Sequence, residues 1–126
     1  MAVFTQAVAP LTGQAPARTV ILTEAGYLIL LSLSNGPAHG YRIMQVINDI
    51  FRCDLRMGPG TLYRTLQRLV TDGLIEEVEA KGEDGADPER RRAYQLTGLG
   101  LEAAGEEVRR LDALVRLGKA QLKAAR

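Results

Sequence analysis

Glycine and proline residues divide the first part of this sequence into short segments, and this division limits the fold more than any other feature. Asn35-Gly36-Pro37 and Gly58-Pro59-Gly60 each form a strong break, and Gly73 adds a third. Because glycine and proline interrupt helices and favour turns, residues 22–73 have room only for short helices joined by tight connections.

The apolar residues between these breaks recur at helical spacing. The first helix is predicted to begin after Thr23, which is a good N-cap residue, and to stop at Asn35. The second is predicted to run from about His39 to Phe51, with Asn48 on its solvated side. The residues predicted to face inward from this second helix are Ile43, Met44, Ile47, Ile50 and Phe51.

The third helix is predicted over residues 61–72, with four apolar side chains inward and Gly73 as its C-cap. Beyond it, residues 74–80 and 91–96 are predicted to form two strands around a turn-rich tip. Three short helices followed by a β-hairpin is the element order of a winged helix-turn-helix. The sequence therefore predicts a mainly α fold with a small β-hairpin, and places a DNA-binding domain of this kind over residues 22–96.

A long C-terminal helix is predicted from Thr97 nearly to the end of the chain, and its apolar residues follow a heptad pattern. Such a stripe is typical of a helix that pairs with another helix, although it can also pack onto its own domain. Because Leu114 and Leu117 lie off the stripe, one face can contact the domain while the other contacts a second subunit. We expect residues 97–126 to form a dimerisation helix through Leu101, Ala104, Val108, Leu111, Val115 and Leu122.

The net charge and the small number of Cys and His residues limit the classes of function that the chain can have. The formal net charge is only +1 at pH 7, so any contact with nucleic acid must come from local basic patches. Cys53 is the single cysteine and His39 the single histidine, and they form no disulfide, metal-ligand or nucleophile pattern. We predict no cofactor, no metal and no enzyme activity.

Residues 1–21 are predicted to form a flexible N-terminal arm, because Pro10, Pro16 and scattered polar residues prevent sustained periodicity. This arm lacks the pattern of a signal peptide. No apolar run reaches the roughly 18 residues that a membrane span requires. We expect a cytoplasmic protein with no membrane partner.

The third helix carries the residues that point most directly to DNA. Its leucine face leaves Thr61, Arg64, Thr65 and Arg68 together on the opposite side, at spacings of three and four. These side chains can donate hydrogen bonds to phosphates and, for arginine, to guanine edges. The alternative is an ordinary solvated helix surface, which the position between a Gly-Pro-Gly break and a hairpin makes less attractive.

The hairpin carries a second basic cluster. Lys81 lies near the end of the outgoing strand, and Arg90, Arg91 and Arg92 lie at the start of the returning one. This cluster is predicted to contact phosphates. The alternative is internal pairing, because the tip also carries Glu83, Asp84, Asp87 and Glu89.

Three segments of the sequence together carry a family resemblance. They are GPAHGYRI at residues 36–43, GPGTLYRTLQRLVTDGLIE at 58–76 and RRAYQLTGLG at 91–100. In these segments the chain resembles the PadR family of bacterial and archaeal transcriptional regulators, in its short form with one C-terminal helix. The resemblance covers roughly residues 22–122.

The resemblance implies a winged-helix homodimer that binds a two-fold site on double-stranded DNA. Such a regulator is usually a repressor that a small-molecule effector or a cellular signal releases. The resemblance also implies that His39, Gly40 and Tyr41 start the second helix beside the DNA backbone and that Tyr63 belongs to the recognition helix. The alternative function is a protein-interaction module that docks partners on its acidic hairpin tip and N-terminal arm, without binding DNA.

Overall fold

The computed structural model describes residues 22–52, 54–79 and 92–125. The predicted N-terminal arm and Cys53 lie outside these ranges. The hairpin is the wing of a winged helix, and three of its four predicted cations also lie outside the ranges: Lys81, Arg90 and Arg91. The elements in chain order are α1 (Glu24–Ser32), β1 (Ala38–His39), α2 (Gly40–Gln45), a π-helix (Val46–Phe51), α3 (Pro59–Thr71), β2 (Ile75–Glu79), β3 (Arg92–Leu96) and α4 (Gly98–Ala124).

The ends of α1 and α3 follow from local sequence. Thr23 caps α1 by accepting a hydrogen bond from the Gly26 N–H at 3.0 Å. At the end of α3, Gly73 takes a positive φ of 78°, and the Leu74 N–H donates to the Leu69 carbonyl at 3.0 Å. This is the Schellman arrangement, which glycine favours because it has no Cβ. The C-cap residue is Asp72, so Gly73 ends the helix from the position after the cap, one residue beyond the cap position predicted for it.

One hydrophobic core joins the helices to the base of the hairpin. Leu62, Leu66 and Leu69 are buried on the inner face of α3, as predicted, and pack with buried residues of α1, α2 and β2. The largest fully buried side chains in the described chain are Ile29, Leu30, Ile43, Ile47, Leu62, Leu66, Leu74 and Ile75. The mainly α fold class with a small β element is confirmed.

The β-sheet has one strand more than the predicted hairpin. Its order is β1-β3-β2, with both pairs antiparallel. The short strand β1 places Ala38 opposite Tyr94 and His39 opposite Ala93. Two residues are too few to show an alternating pattern, so β1 could not be predicted from the sequence. Its pairing attaches the beginning of α2 directly to the returning strand of the hairpin.

The second half of the predicted second helix is wound as a π-helix, and this overturns part of the predicted inward face. The Arg52 N–H donates to the Ile47 carbonyl five residues back, at 3.2 Å, as π winding requires. Because the wider turn changes the direction of the side chains, Ile50 and Phe51 are exposed rather than buried. Asn48 is half-buried rather than solvated.

Helix α4 starts in close contact with the end of α3. The Thr97 hydroxyl donates to the Gly73 carbonyl at 2.7 Å and accepts from the Gly100 N–H at 3.0 Å. The Thr97 N–H donates to the Leu74 carbonyl at 3.2 Å. A Cβ at residue 100 would overlap that same carbonyl oxygen. Glycine is therefore required where α4 crosses the entry to β2.

Only the first part of α4 packs on the domain. The buried residues of this helix are Gly100, Ala103, Ala104 and Glu107, and Ala104 belongs to the core of its own chain. The expectation that Ala104 lies on the free dimerisation face is therefore wrong: the heptad spacing could not show that this position faces the domain. In the described part of the chain, no helix has both the length and the apolar character to cross a membrane.

Candidate nucleic-acid interface

The outward face of α3 is centred on Arg64. Leu62, Leu66 and Leu69 point into the core, and at about 3.6 residues per turn Arg64 lies on the opposite side of the helix. Arg68 lies one turn further along the same face, and both arginines are exposed. The structure therefore brings together the two predicted base-contacting cations on one free surface.

The two predicted threonines lie on the flank of this face. Thr61 and Thr65 are both half-buried, so their hydroxyl groups border the surface rather than form its centre. Gln67, which was not predicted, is exposed beside Arg64 and Arg68. Its amide can both donate to and accept from a base edge. The spacing of three residues from Arg64 was a sequence signal that could have identified Gln67.

The arginines of α3 are not held in strong internal ion pairs. Arg68 Nε lies 3.5 Å from Asp72 Oδ2, and the two side chains are 77% and 39% exposed. Exposed pairs of this kind contribute little, typically about 0–1 kcal/mol. No acidic group of the described residues lies within 4.0 Å of the Arg64 guanidinium. Both side chains can therefore exchange solvent for an anionic ligand.

The first turn of α2 lies against α3 through a tyrosine. The Tyr63 ring sits so close to Gly40 that a Cβ there would be 2.9 Å from the Tyr63 hydroxyl oxygen. Gly40 is buried, whereas Tyr41 beside it is exposed. His39 is half-buried and acts as the N-cap residue by its backbone, with no side-chain capping bond. The Tyr63 side chain therefore packs directly against the backbone at the start of α2.

Strand β3 carries the one predicted wing cation that the structure describes. Arg92 is exposed and lies opposite Glu79 across the hairpin. On the same face, Tyr94 is buried, and its pKa is raised mainly by burial and also by the negative charge of Glu77. The Arg92 guanidinium acts in the opposite direction on this pKa. The start of β3 is thus a mixed surface, with acidic neighbours beside its arginine.

The connection into α3 is held by a side chain of the π-helix. Asn48 Nδ2 donates to the Met57 carbonyl at 2.9 Å, and the Met57 N–H donates to Asn48 Oδ1 at 2.8 Å. Met57 is buried, with 3% of its surface exposed. A further cation, Arg56, is exposed within this connection. No periodic pattern marked Arg56 in the sequence, because it lies in a segment without a helix or strand.

The distal part of α4 presents an apolar face without a partner in the described chain. Leu111 is half-buried, and the remaining stripe residues outside the core are exposed. At the inner end of this face, Glu107 is buried and its carboxylate accepts two hydrogen bonds from Arg110, which raise the pKa of that guanidinium. The exposed apolar residues of α4 are Leu99, Leu101, Val108, Leu114, Val115, Leu117 and Leu122.

Three short helices, a sheet with one protruding hairpin and an outward-facing basic helix define a winged helix-turn-helix protein. Among the residues that the structure describes, no three His, Cys, Asp or Glu side chains gather as they do around a metal ion. The chain belongs to the transcriptional regulator PadR-like family, whose model matches residues 29–106. Its members are transcriptional regulators and not enzymes.

Two relatives share more than a third of their aligned residues with the chain. A transcriptional regulator of Mycobacterium tuberculosis is 38% identical over 88 residues, which are 70% of this chain and 76% of that protein. An uncharacterised 37.1 kDa protein in a transposon of Streptomyces fradiae is 37% identical over 84 residues. That alignment covers 67% of this chain but only 22% of the longer protein.

Solved structures share the fold at lower sequence identity. A PadR family transcription regulator from Clostridium difficile superposes with a TM-score of 0.65 at 21% identity, covering 78% of this chain and 97% of that one. Bacillus subtilis PadR, solved in complex with operator DNA, gives a TM-score of 0.58 at 20% identity, covering 66% of this chain and 46% of that one. These likenesses establish the winged-helix fold.

Proposed function

We propose that this chain is a sequence-specific regulator that binds double-stranded DNA as a homodimer in the cytoplasm. The observation that carries the proposal is the outward face of α3, where Arg64, Gln67 and Arg68 are exposed directly opposite a leucine core. In winged helices the third helix enters the major groove. Arginine can bind both acceptors of a guanine edge, and glutamine can bind adenine.

The residues around this face supply contacts to the DNA backbone. Exposed Tyr41 and buried Gly40 begin α2, where a backbone N–H can approach a phosphate closely. Thr61 and Thr65 border the base-reading surface and can donate to phosphate oxygens. The proposed phosphate contacts further include His39, Tyr63 and the wing cations Lys81, Arg90, Arg91 and Arg92.

The distal part of α4 supports a homodimer. An apolar face of this extent is uncommon on a monomer and marks a contact surface. The heptad repeat gives the chemistry of the partner, because an identical helix presents the same stripe. We assign residues 97–126 to dimerisation through Leu101, Val108, Leu111, Val115 and Leu122. A two-fold dimer then presents its recognition helices to successive major grooves about 34 Å apart.

The direction of regulation follows the family resemblance. A dimer bound across a promoter blocks transcription, so the proposed role is that of a repressor that a small effector or cellular signal releases. The operator complex of Bacillus subtilis PadR supports binding to an operator. A reporter placed behind the bound site should be repressed by the parent protein and active when Arg64 is replaced by alanine.

Selection of bound sequences from random duplexes tests the DNA-binding proposal. The full chain should enrich one two-fold motif, and its affinity for that duplex should fall steeply with salt because bound phosphates release counterions. For about six neutralised phosphates, raising salt from about 50 to 200 mM should weaken binding roughly 10³-fold. A chain that enriches no motif and shows no salt-dependent binding to any duplex would refute the proposal and favour the protein-interaction module.

A further inference from the structure

The backbone of Met57, shortly before α3, is held by the side chain of Asn48. Residues 54–58 form no helix or strand, yet both backbone polar groups of Met57 are satisfied by the Asn48 amide, at 2.8 and 2.9 Å. The planar amide pairs with this one residue much as a neighbouring strand would. The backbone just before the recognition helix is therefore fixed from within the preceding helix.

Asn48 belongs to the π-helix and lies four residues after Met44, which is half-buried like Asn48 itself. Side chains in the π-helix depart from the face expected for α winding, because Ile50 and Phe51 are exposed while Asn48 is half-buried. π-helical turns are rare and are often found at functional positions. Exposing Ile50 and Phe51 is energetically unfavourable. The same π-helix gains two hydrogen bonds, both between Asn48 and Met57.

The placement of Met57 is transmitted to α3 over a very short distance. Met57 is buried, Gly58 continues in an extended conformation with φ −97° and ψ 173°, and Pro59 is the first residue of α3. Proline fixes its own φ, so Gly58 is the residue between Met57 and the first turn of α3 whose backbone can adjust. Because Met57 is hydrogen-bonded to Asn48, the start of α3, and with it Arg64 one turn later, lies close to a fixed point of the backbone.

We propose that Asn48 is a positioning residue for DNA recognition: it sets the start of α3 through Met57 and thereby aligns Arg64 with the base edges. The inference rests on the proposed function. Groups that recognise a ligand must be held within about 0.5 Å of their productive geometry, whereas contacts to phosphate tolerate more movement. Asn48 should therefore affect discrimination between DNA sequences more than general affinity for DNA.

The amide chemistry allows two variants. Asn48→Ala removes both hydrogen bonds to Met57. Asn48→Asp keeps an acceptor for the Met57 N–H but removes the donor to its carbonyl, and it serves if the alanine variant does not fold. Thr23→Ala is the control, because it removes a side-chain hydrogen bond at the start of α1, away from the connection into α3.

The test compares the affinity of the full chain for a duplex selected from a random library with its affinity for a scrambled duplex of equal length. Asn48→Ala should weaken binding to the selected duplex about tenfold, as for one lost base contact, and change binding to the scrambled duplex by less than about twofold. Asn48→Asp sets a carboxylate oxygen against the Met57 carbonyl and should lose at least as much of the ratio between the two affinities as Asn48→Ala, while its added negative charge lowers both affinities. Thr23→Ala should keep the parental ratio of the two affinities.

Hydrogen exchange of the free protein provides a readout that needs no DNA. The Met57 amide should exchange faster in Asn48→Ala than in the parent, while the Leu66 amide in the middle of α3 keeps its protection. Parental discrimination in Asn48→Ala, or an equal loss in Thr23→Ala, would overturn the role of Asn48 and leave the proposed function standing. A parent chain that selects no duplex would refute both.

Discussion

Replacing Gly100 by alanine tests the contact on which the direction of α4 depends. The added Cβ would overlap the Leu74 carbonyl oxygen and lie 3.1 Å from a methyl carbon of Leu96. The carbonyl is backbone and already accepts the Thr97 N–H at 3.2 Å, so it cannot rotate away. The helix must move instead, and the hydrogen bond from the Thr97 hydroxyl to Gly73 is strained with it.

Two opposing terms give the size of the effect. Alanine is favoured over glycine inside a helix by about 1 kcal/mol, whereas overpacking costs about 1–3 kcal/mol and more where the backbone is in the way. We take about 3 kcal/mol for a clash with a fixed carbonyl, so Gly100→Ala should lower the free energy of unfolding by about 2 kcal/mol. At about 4–8 °C per kcal/mol for a domain of this size, Tm should fall by about 10 °C.

Gly105→Ala is the matched control on the same helix. A Cβ at this position would meet only the Arg109 guanidinium, at an ordinary distance of 3.7 Å. Without a clash, the remaining effect is the higher helix propensity of alanine over glycine, about 1 kcal/mol, so Tm should rise by about 4–8 °C. Thermal unfolding followed by circular dichroism at one fixed protein concentration measures both variants. A Gly100→Ala variant as stable as the parent, or two shifts of the same sign, would refute the described crossing of α4.

Two further predictions concern the interface and the dimer. Gly40→Ala should leave Tm within about 3 °C of the parent, because the Tyr63 hydroxyl end can move aside. The same variant should weaken binding to the selected duplex about three- to tenfold. Parental affinity would show that the contact between Gly40 and Tyr63 does not serve recognition. Val115→Glu should give a monomer in sedimentation with DNA affinity at least about 100-fold weaker, since only a dimer engages both half-sites. Ala120→Glu adds the same charge off the heptad stripe and should remain dimeric; a dimeric Val115→Glu would contradict the proposed interface.

Elements with a regular apolar period were predictable from the sequence. The buried leucines of α3 recur at three and four residues between two glycine breaks, so both the helix and its outward Arg64 followed from spacing. The hairpin followed from the change of period after Gly73. In each case the signal is local, because the residues that define the element also determine which of its faces is buried.

Features that depend on distant contacts were not predictable. Asn48 was placed in solvent because an α period cannot reveal a π turn, and its partner Met57 lies nine residues away. Strand β1 exists only through pairing with residues 93 and 94. Ala104 fits the heptad as well as Val108 does, but only the packed domain shows that Ala104 belongs to the core. The need for glycine at position 100 follows from a carbonyl that spacing does not locate.

The most direct test of the central claim is the affinity of Arg64→Ala for the selected duplex, measured by fluorescence anisotropy beside a scrambled duplex. Arg109→Ala is the control, because it removes an equal charge from an exposed position on α4. If Arg64 binds a base, Arg64→Ala should lose about 1–3 kcal/mol on the selected duplex and much less on the scrambled one, while Arg109→Ala keeps the parental preference. Equal affinity of Arg64→Ala and the parent for the selected duplex would contradict the assignment of α3 as the recognition helix.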